Sequence, residues 1–278
     1  MNERDDVRPR LDPPRGMLGG RSPLPERDHR RYWPSADLAP FVEHYWIVRW
    51  DLAAPATAET LPHPAVHMVF RAGRAELVGV MRGRFTTRLE GRGGVIGTKF
   101  RPGGFRPFVD RPIAAFADRR WPLADVLGER ADELAEQVFA CFDRDREAIA
   151  RIEAFLRGCR PAADTAIELA TRTVARIAAD RTITRVEQLL DEAGATRRGL
   201  QRLFREYVGA TPKWVIQRFR LIEAAERLAA GDVADGAALA FDLGYADQAH
   251  FIRDFKRIVG RPPAAYARAL KADAASSR

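Results

Sequence analysis

Two hydrophobic periods divide the chain. Between Tyr32 and about Asp110, apolar residues recur at a spacing of two, the mark of strands. Val42, His44, Trp46, Val48 and Trp50 alternate there with Glu43, Tyr45, Ile47 and Arg49. Residues 65–71, 76–82, 85–90 and 95–100 are predicted as further short strands. Ala72-Gly73, Gly83 and Gly91-Arg92-Gly93-Gly94 are predicted as the turns between them. An antiparallel meander, a sandwich or a small barrel is expected. After Trp121-Pro122 the period becomes helical. Leu134, Val138 and Phe142 form one stripe over 129–142, and Ile149, Ile152 and Leu156 another over 144–156. Gly158 and Pro161 close this connector, and residues 165–268 read as helices throughout.

The predicted fold class is therefore α+β and multidomain. Residues 1–31 hold Pro9, Pro13, Pro14, Pro23 and Pro25 among alternating charges and are expected to form a flexible arm. Residues 32–160 are expected to form a β-rich, sandwich or barrel-like domain with a helical connector, its boundary near 158–163. Residues 161–278 are expected to form an all-α domain.

The last hundred residues contain an internal repeat. Leu200 recurs as Phe251, Arg202 as Arg253, Phe204 as Phe255, Arg205 as Lys256, Gly209 as Gly260 and Pro212 as Pro263. Each copy reads as a short helix, a tight turn and a second helix ended by glycine, which is the helix-turn-helix outline. In the first copy Gly194-Ala195 makes the turn and Thr196 caps the second helix. In the second, Asp235 and Asp247 cap the two helices around Gly244. On the wheel of 196–207, Leu200, Leu203, Phe204 and Tyr207 share one side. Arg198, Gln201, Arg202 and Arg205 share the other, with Glu206 between. On the wheel of 247–259, Phe251, Ile252, Phe255 and Val259 are expected to be buried, while Ala249, His250, Arg253 and Arg257 face away.

Arginine can make two hydrogen bonds to guanine and glutamine two to adenine, provided a helix held from behind projects them into the major groove. Arg198, Gln201, Arg202, His250 and Arg253 are accordingly the base-edge candidates. Arg205, Lys213, Arg218, Lys256 and Arg257 are the phosphate candidates, because phosphates need only positive charge. Between the copies, Thr211-Pro212 starts a helix running to about Ala230, roughly 28 Å long. That is near the ~34 Å separating successive major-groove faces on one side of DNA.

Charge adds little to this. The chain of 278 residues carries a net +8, but only Lys99, Lys213, Lys256 and Lys271 of its 46 basic residues are lysines, as an arginine-biased genome would give. No run is apolar and long enough to span a membrane, and MNERDDVRPR lacks the apolar core of a signal peptide, so a cytoplasmic protein is expected.

The C-terminal region resembles the AraC/XylS family of transcription regulators. The resemblance rests on Leu200-Gln201-Arg202-Leu203-Phe204 and Gly209-Ala210-Thr211-Pro212. It continues through Leu239-Ala240, Gly244-Tyr245, Asp247-Gln248, His250-Phe251, Phe255-Lys256, Gly260, Pro263 and Tyr266. It implies two helix-turn-helix units joined by a linker helix on double-stranded DNA. By position it places base-reading roles on Arg198, Gln201, Arg202, Gln248, Ala249, His250 and Arg253. Tyr32, Leu38-Ala39-Pro40-Phe41, Tyr45-Trp46, Phe100-Arg101-Pro102-Gly103-Gly104 and Leu123 look like the β-rich domain attached to some such regulators, which implies a sensory or dimerising role. RNA polymerase, a small-molecule effector and a second copy of the chain are the further partners it suggests.

No catalytic residue, metal or cofactor is expected. His44, His63 and His67 would suit a metal only if Pro62 and Pro64 did not interrupt the strand around His63. Gly91-Arg92-Gly93-Gly94-Val95-Ile96-Gly97 leads into a strand, whereas a phosphate loop leads into a helix. The DNA module also occurs joined to alkyl-transfer repair domains, so a repair or ligand-converting enzyme is the rival reading. Such repair domains need a cysteine-rich setting, and this chain has only Cys141 and Cys159.

Overall fold

The fold is known from a computed structural model that describes residues 16–18, 29–71, 73–233 and 235–276. The strands are β1 (Met17–Leu18), β2 (His29–Tyr32), β3 (Val42–Thr60), β4 (His67–Arg71), β5 (Arg74–Val78), β6 (Phe85–Phe100) and β7 (Arg120–Pro122). All pair antiparallel in one sheet of order β1-β3-β6-β4-β5-β7, with β2 also on β3. The order departs from a meander, because the long β3–β6 ladder encloses the β4–β5 hairpin. Strand structure reaches into the predicted arm at Met17–Leu18 and from His29. The rest of the arm, 1–15 and 19–28, lies outside the described residues.

The turn predicted at Gly91–Gly94 does not exist. Residues 85–100 are one strand, in which Gly93 lies opposite Trp50 and Gly97 opposite Trp46. A Cβ at either position would overlap the indole across the ladder. These glycines make room for tryptophans rather than for a reversal of the chain. A register shift between Val42 and His44 lets Val42, Tyr45 and Ile47 all enter the core. The strand predicted over 76–82 is Arg74–Val78 instead, which leaves residues 79–84 as a loop.

The buried face of the sheet packs on α1 (Leu123–Leu127), α2 (Arg130–Ala140) and α3 (Asp145–Gly158). Then follow α4 (Thr165–Ala179), a 3-10 turn at Val186–Leu189, α5 (Leu190–Ala193), α6 (Arg197–Leu203), α7 (Pro212–Ala230), α8 (Gly236–Asp242), α9 (Gln248–Val259) and α10 (Pro263–Ser276). One apolar core runs from Leu38 in the β-rich part through Leu200, Phe204 and Val208 to Ile216. It crosses the boundary expected near 158–163. A second core joins α7–α10 to Leu18 and Leu61.

On the other face of the sheet, Trp46 Nε1 donates to His67 Nδ1 at 3.2 Å. Burial, with Lys99 and His44 adding to it, lowers the His67 pKa to about 3. Burial, with Arg31 and His44, lowers that of His29 to about 4. An unfolded histidine takes up its proton near 6.5, so acid favours the unfolded chain. Stability is expected to fall as pH drops from 6.5 toward 4, by about 2 kcal/mol for each histidine at pH 5. Urea unfolding at pH 7 and pH 5 measures this. The double variant His29→Gln, His67→Gln should lose most of the dependence, and an equally acid-sensitive double variant would assign it elsewhere.

Candidate nucleic-acid interface

Local chemistry fixes the ends of both repeat copies. Thr196 accepts from the Gly199 amide at 3.1 Å, and Asp247 accepts from the His250 amide at 2.7 Å, which caps α6 and α9. The helix begun by α6 widens into a π turn at Phe204–Val208. It ends at Gly209 with φ +84°, as α9 ends at Gly260 with φ +90°. Between them, Thr211 accepts from the Trp214 amide at 3.2 Å, and Pro212 opens α7, whose 19 residues span about 28 Å.

The first copy buries Leu200, Phe204 and Val208. Arg198, Gln201, Arg202 and Arg205 are exposed and make no ion pair or hydrogen bond through their side chains among the described residues. Glu206, the acid beside this face, is held by Arg106 at 2.8 Å. Its charge is therefore neutralised from the β-rich part and does not oppose a polyanion.

The second copy buries Phe251, Phe255, Ile258 and Val259, with Phe255 stacked edge-on against Phe251 and Tyr266. Gln248, Ala249, His250, Arg253, Lys256 and Arg257 are exposed, as is Lys213 at the start of α7. Ile252, expected in the core, is instead 36% exposed, and Asp254 takes the inward position. Asp254 accepts from Gln217 of α7 and from Arg257 at 2.9 Å, and lies 3.4 Å from His250 Nε2. The bond from Gln217 ties the reading helix to α7, and with all three partners a carboxylate can replace an aliphatic side chain there. Its spacing was a usable signal, because residue 254 lies three after Phe251 and four before Ile258, on the apolar stripe.

Arg218 differs from the other candidates in being covered in this structure. The phosphate candidate is only 2% exposed. Its Nη2 donates to the Arg82 and Gly83 carbonyls, and its guanidinium lies 4.7 Å over the Trp214 ring. Periodicity does not reveal this, because those carbonyls come from a loop more than 130 residues away.

His63, one of the three histidines considered for a metal, stacks edge-on against Phe219. Among the described residues, no group of three or more histidine, cysteine, aspartate or glutamate side chains is placed to hold a metal ion. Cys141 is buried and donates its thiol to the Gln137 carbonyl, and Cys159 is half-buried. No described helix is long and apolar enough to cross a membrane.

Residues 189–269, the segment that carries both capped reading helices, match the family model of a helix-turn-helix domain. This segment is a helix-turn-helix domain of the AraC type. With that domain, the chain is a DNA-binding transcription regulator. Residues 30–122 match a family described as a domain of unknown function. No curated protein matches the chain. Among solved structures the chain is similar to ToxT from Vibrio cholerae. The apo form is 13% identical over 81% of this chain and 97% of that one, with a TM-score of 0.42. A form bound to (E)-4-(8-methylnaphthalen-1-yl)but-3-enoic acid is 12% identical over the same shares, with a TM-score of 0.39. The unsaturated fatty acid-bound wild-type form is 13% identical over 82% of this chain and 87% of that one, with a TM-score of 0.37.

Proposed function

We propose that the chain recognises a bipartite DNA site, with α6 and α9 each entering one of two adjacent major-groove segments. Arg198, Gln201 and Arg202 read bases from α6. Gln248, Ala249, His250 and Arg253 read from α9, where Ala249 offers an apolar contact to a thymine methyl. Arg205, Lys213, Lys256 and Arg257 hold phosphates. The observation that carries this reading is the pairing of two helices, each anchored by buried aromatics and each presenting exposed donors. The β-rich part, residues 32–160, acts as the modulating domain. An effector or a second copy bound there shifts the population of arrangements in which both helices dock together.

The test is selection of bound duplexes from a random-sequence pool by the full chain at two salt concentrations. The full chain is needed because the first reading helix shares its core with the β-rich part. Two enriched half-sites centred about 10 base pairs apart are expected. A single enriched element, or none, overturns the two-helix reading.

A further inference from the structure

The loop at residues 79–84, between β5 and β6, makes two contacts on the second half of the DNA module. It is held by Asp118, whose backbone is left-handed at φ +56° although it is not glycine. The Asp118 carboxylate accepts from the Arg82 amide and from Arg82 Nε, each at 2.6 Å, and its own amide donates to the Val80 carbonyl at 3.1 Å. Strained backbone of this kind persists only where its surroundings over-determine it. Here the clip turns the Arg82 and Gly83 carbonyls toward α7, where Arg218 Nη2 donates to both. Farther along, Arg84 Nη1 donates at 3.0 Å to the carbonyl of Val259, the last residue of α9. Arg84 also pairs with Glu59 at 3.1 Å, and Glu59 lies 3.8 Å from Arg261 just beyond α9. One loop thus grips both the linker helix and the C-terminal end of a reading helix.

The grip on Arg218 is electrostatically poor. Among the described residues Arg218 makes no ion pair, and its buried Nη1 has no acceptor. Burial lowers its pKa to about 10. Carbonyl dipoles return only part of the hydration that a buried guanidinium gives up. A phosphate would supply a full negative charge and a bidentate set of acceptors.

We propose that the loop of Arg82, Gly83 and Arg84 is an autoinhibitory latch: it withholds Arg218 from the DNA backbone, and its opening delivers that cation to a phosphate beside the second reading helix. The latch rests on the DNA reading above. It adds a closed state in which the second helix is pinned by its C-terminal carbonyl and one phosphate contact is missing.

The variant Asp118→Gly tests it, because glycine keeps the left-handed backbone and removes the clip. Full-length wild type, Asp118→Gly, Arg218→Met and the double variant are titrated with the duplex enriched by selection, over a range of salt. Thermal melting of each confirms that it folds. Asp118→Gly is expected to bind about tenfold tighter, as a larger competent fraction requires. Its salt slope should steepen by about one unit, for one more phosphate neutralised. The gain should vanish in the double variant with Arg218→Met. Arg84→Ala, which releases the α9 contact and the Glu59 pair but leaves the Arg218 contacts in place, should also tighten binding. Unchanged or weaker binding by Asp118→Gly overturns the latch, and so does a gain that survives Arg218→Met. In either case a wild-type chain that still enriches a bipartite site leaves the DNA reading standing. A wild type and an Asp118→Gly variant that both enrich nothing remove the DNA reading and the latch together.

Discussion

Replacing Arg202 and Arg253 together by alanine is expected to weaken binding to the selected duplex by ~2–6 kcal/mol, about thirtyfold or more. Each single substitution should cost ~1–3 kcal/mol and relax base preference only in its own half-site. The two losses should add, because the helices are anchored in different cores: Phe204 packs with the sheet-side cluster and Phe255 with the cluster of α7–α10. Both side chains are exposed, so unfolding free energy should stay within about 0.5 kcal/mol of wild type. Titration against the selected duplex and against versions mutated in one half-site separates the outcomes. Equal loss on every sequence would assign both arginines to phosphates and move base reading elsewhere on the helices.

The DNA module was legible because its signals are local. Thr196, Asp235 and Asp247 are N-caps that bond within three residues of themselves, and Gly209, Gly231 and Gly260 end their helices in left-handed conformation. A period of 3.6 then sorts inward from outward residues with few errors. The exceptions are instructive. Ile252 turns outward against expectation, and Asp254 lies inward because it finds three partners, of which the donor from Gln217 belongs to another helix. Arg218 sits on a helix whose polarity suggested solvent, yet a distant loop covers it. The sheet was legible as strands but not as a topology. Gly91–Gly94 has the composition of a turn, and only the cross-strand neighbours Trp46 and Trp50 explain why a strand would be so rich in glycine. Register is a relation between segments, so no single window contains it. The region near 158–163 shows the same dependence on distant segments. Gly158 and Pro161 do end a helix, but Phe105, Ile113 and Phe116 pack into the same core as Leu200 and Phe204 across it. That shared core couples the β-rich part to the first reading helix, while the latch loop touches the second.

The attachment of the sheet to its helices is expected to depend most heavily on one carboxylate. Asp145 opens α3 and is only 7% exposed. It accepts from Tyr32 Oη at 2.6 Å and from Arg30 Nη1 at 3.0 Å, both on β2, and it pairs with Arg49 Nη2 of β3 at 2.5 Å. Arg49 in turn donates to the Phe142 carbonyl at 2.7 Å, just before α3. The negative charge also lies at the favourable end of the helix dipole. Asp145→Ala would leave Arg49 and Tyr32 beside an empty acceptor site. The expected loss is ~3–5 kcal/mol of unfolding free energy, of which the more exposed Arg30 accounts for little. Asp145→Asn keeps an acceptor for Tyr32 and should lose about half as much. Burial alone would raise the pKa of this carboxyl, but the bonds from Arg49, Tyr32 and Arg30 hold it below its ordinary value of 3.8. A depressed carboxylate stabilises fully above its unfolded pKa and loses that contribution as pH falls through the folded one. The gap between wild type and Asp145→Asn in urea unfolding should therefore be full at pH 7 and begin to close only below pH 3.8, well under the histidine window. A cost under about 1 kcal/mol for Asp145→Ala at pH 7 would show that the apolar face alone holds β2 and β3 to α3.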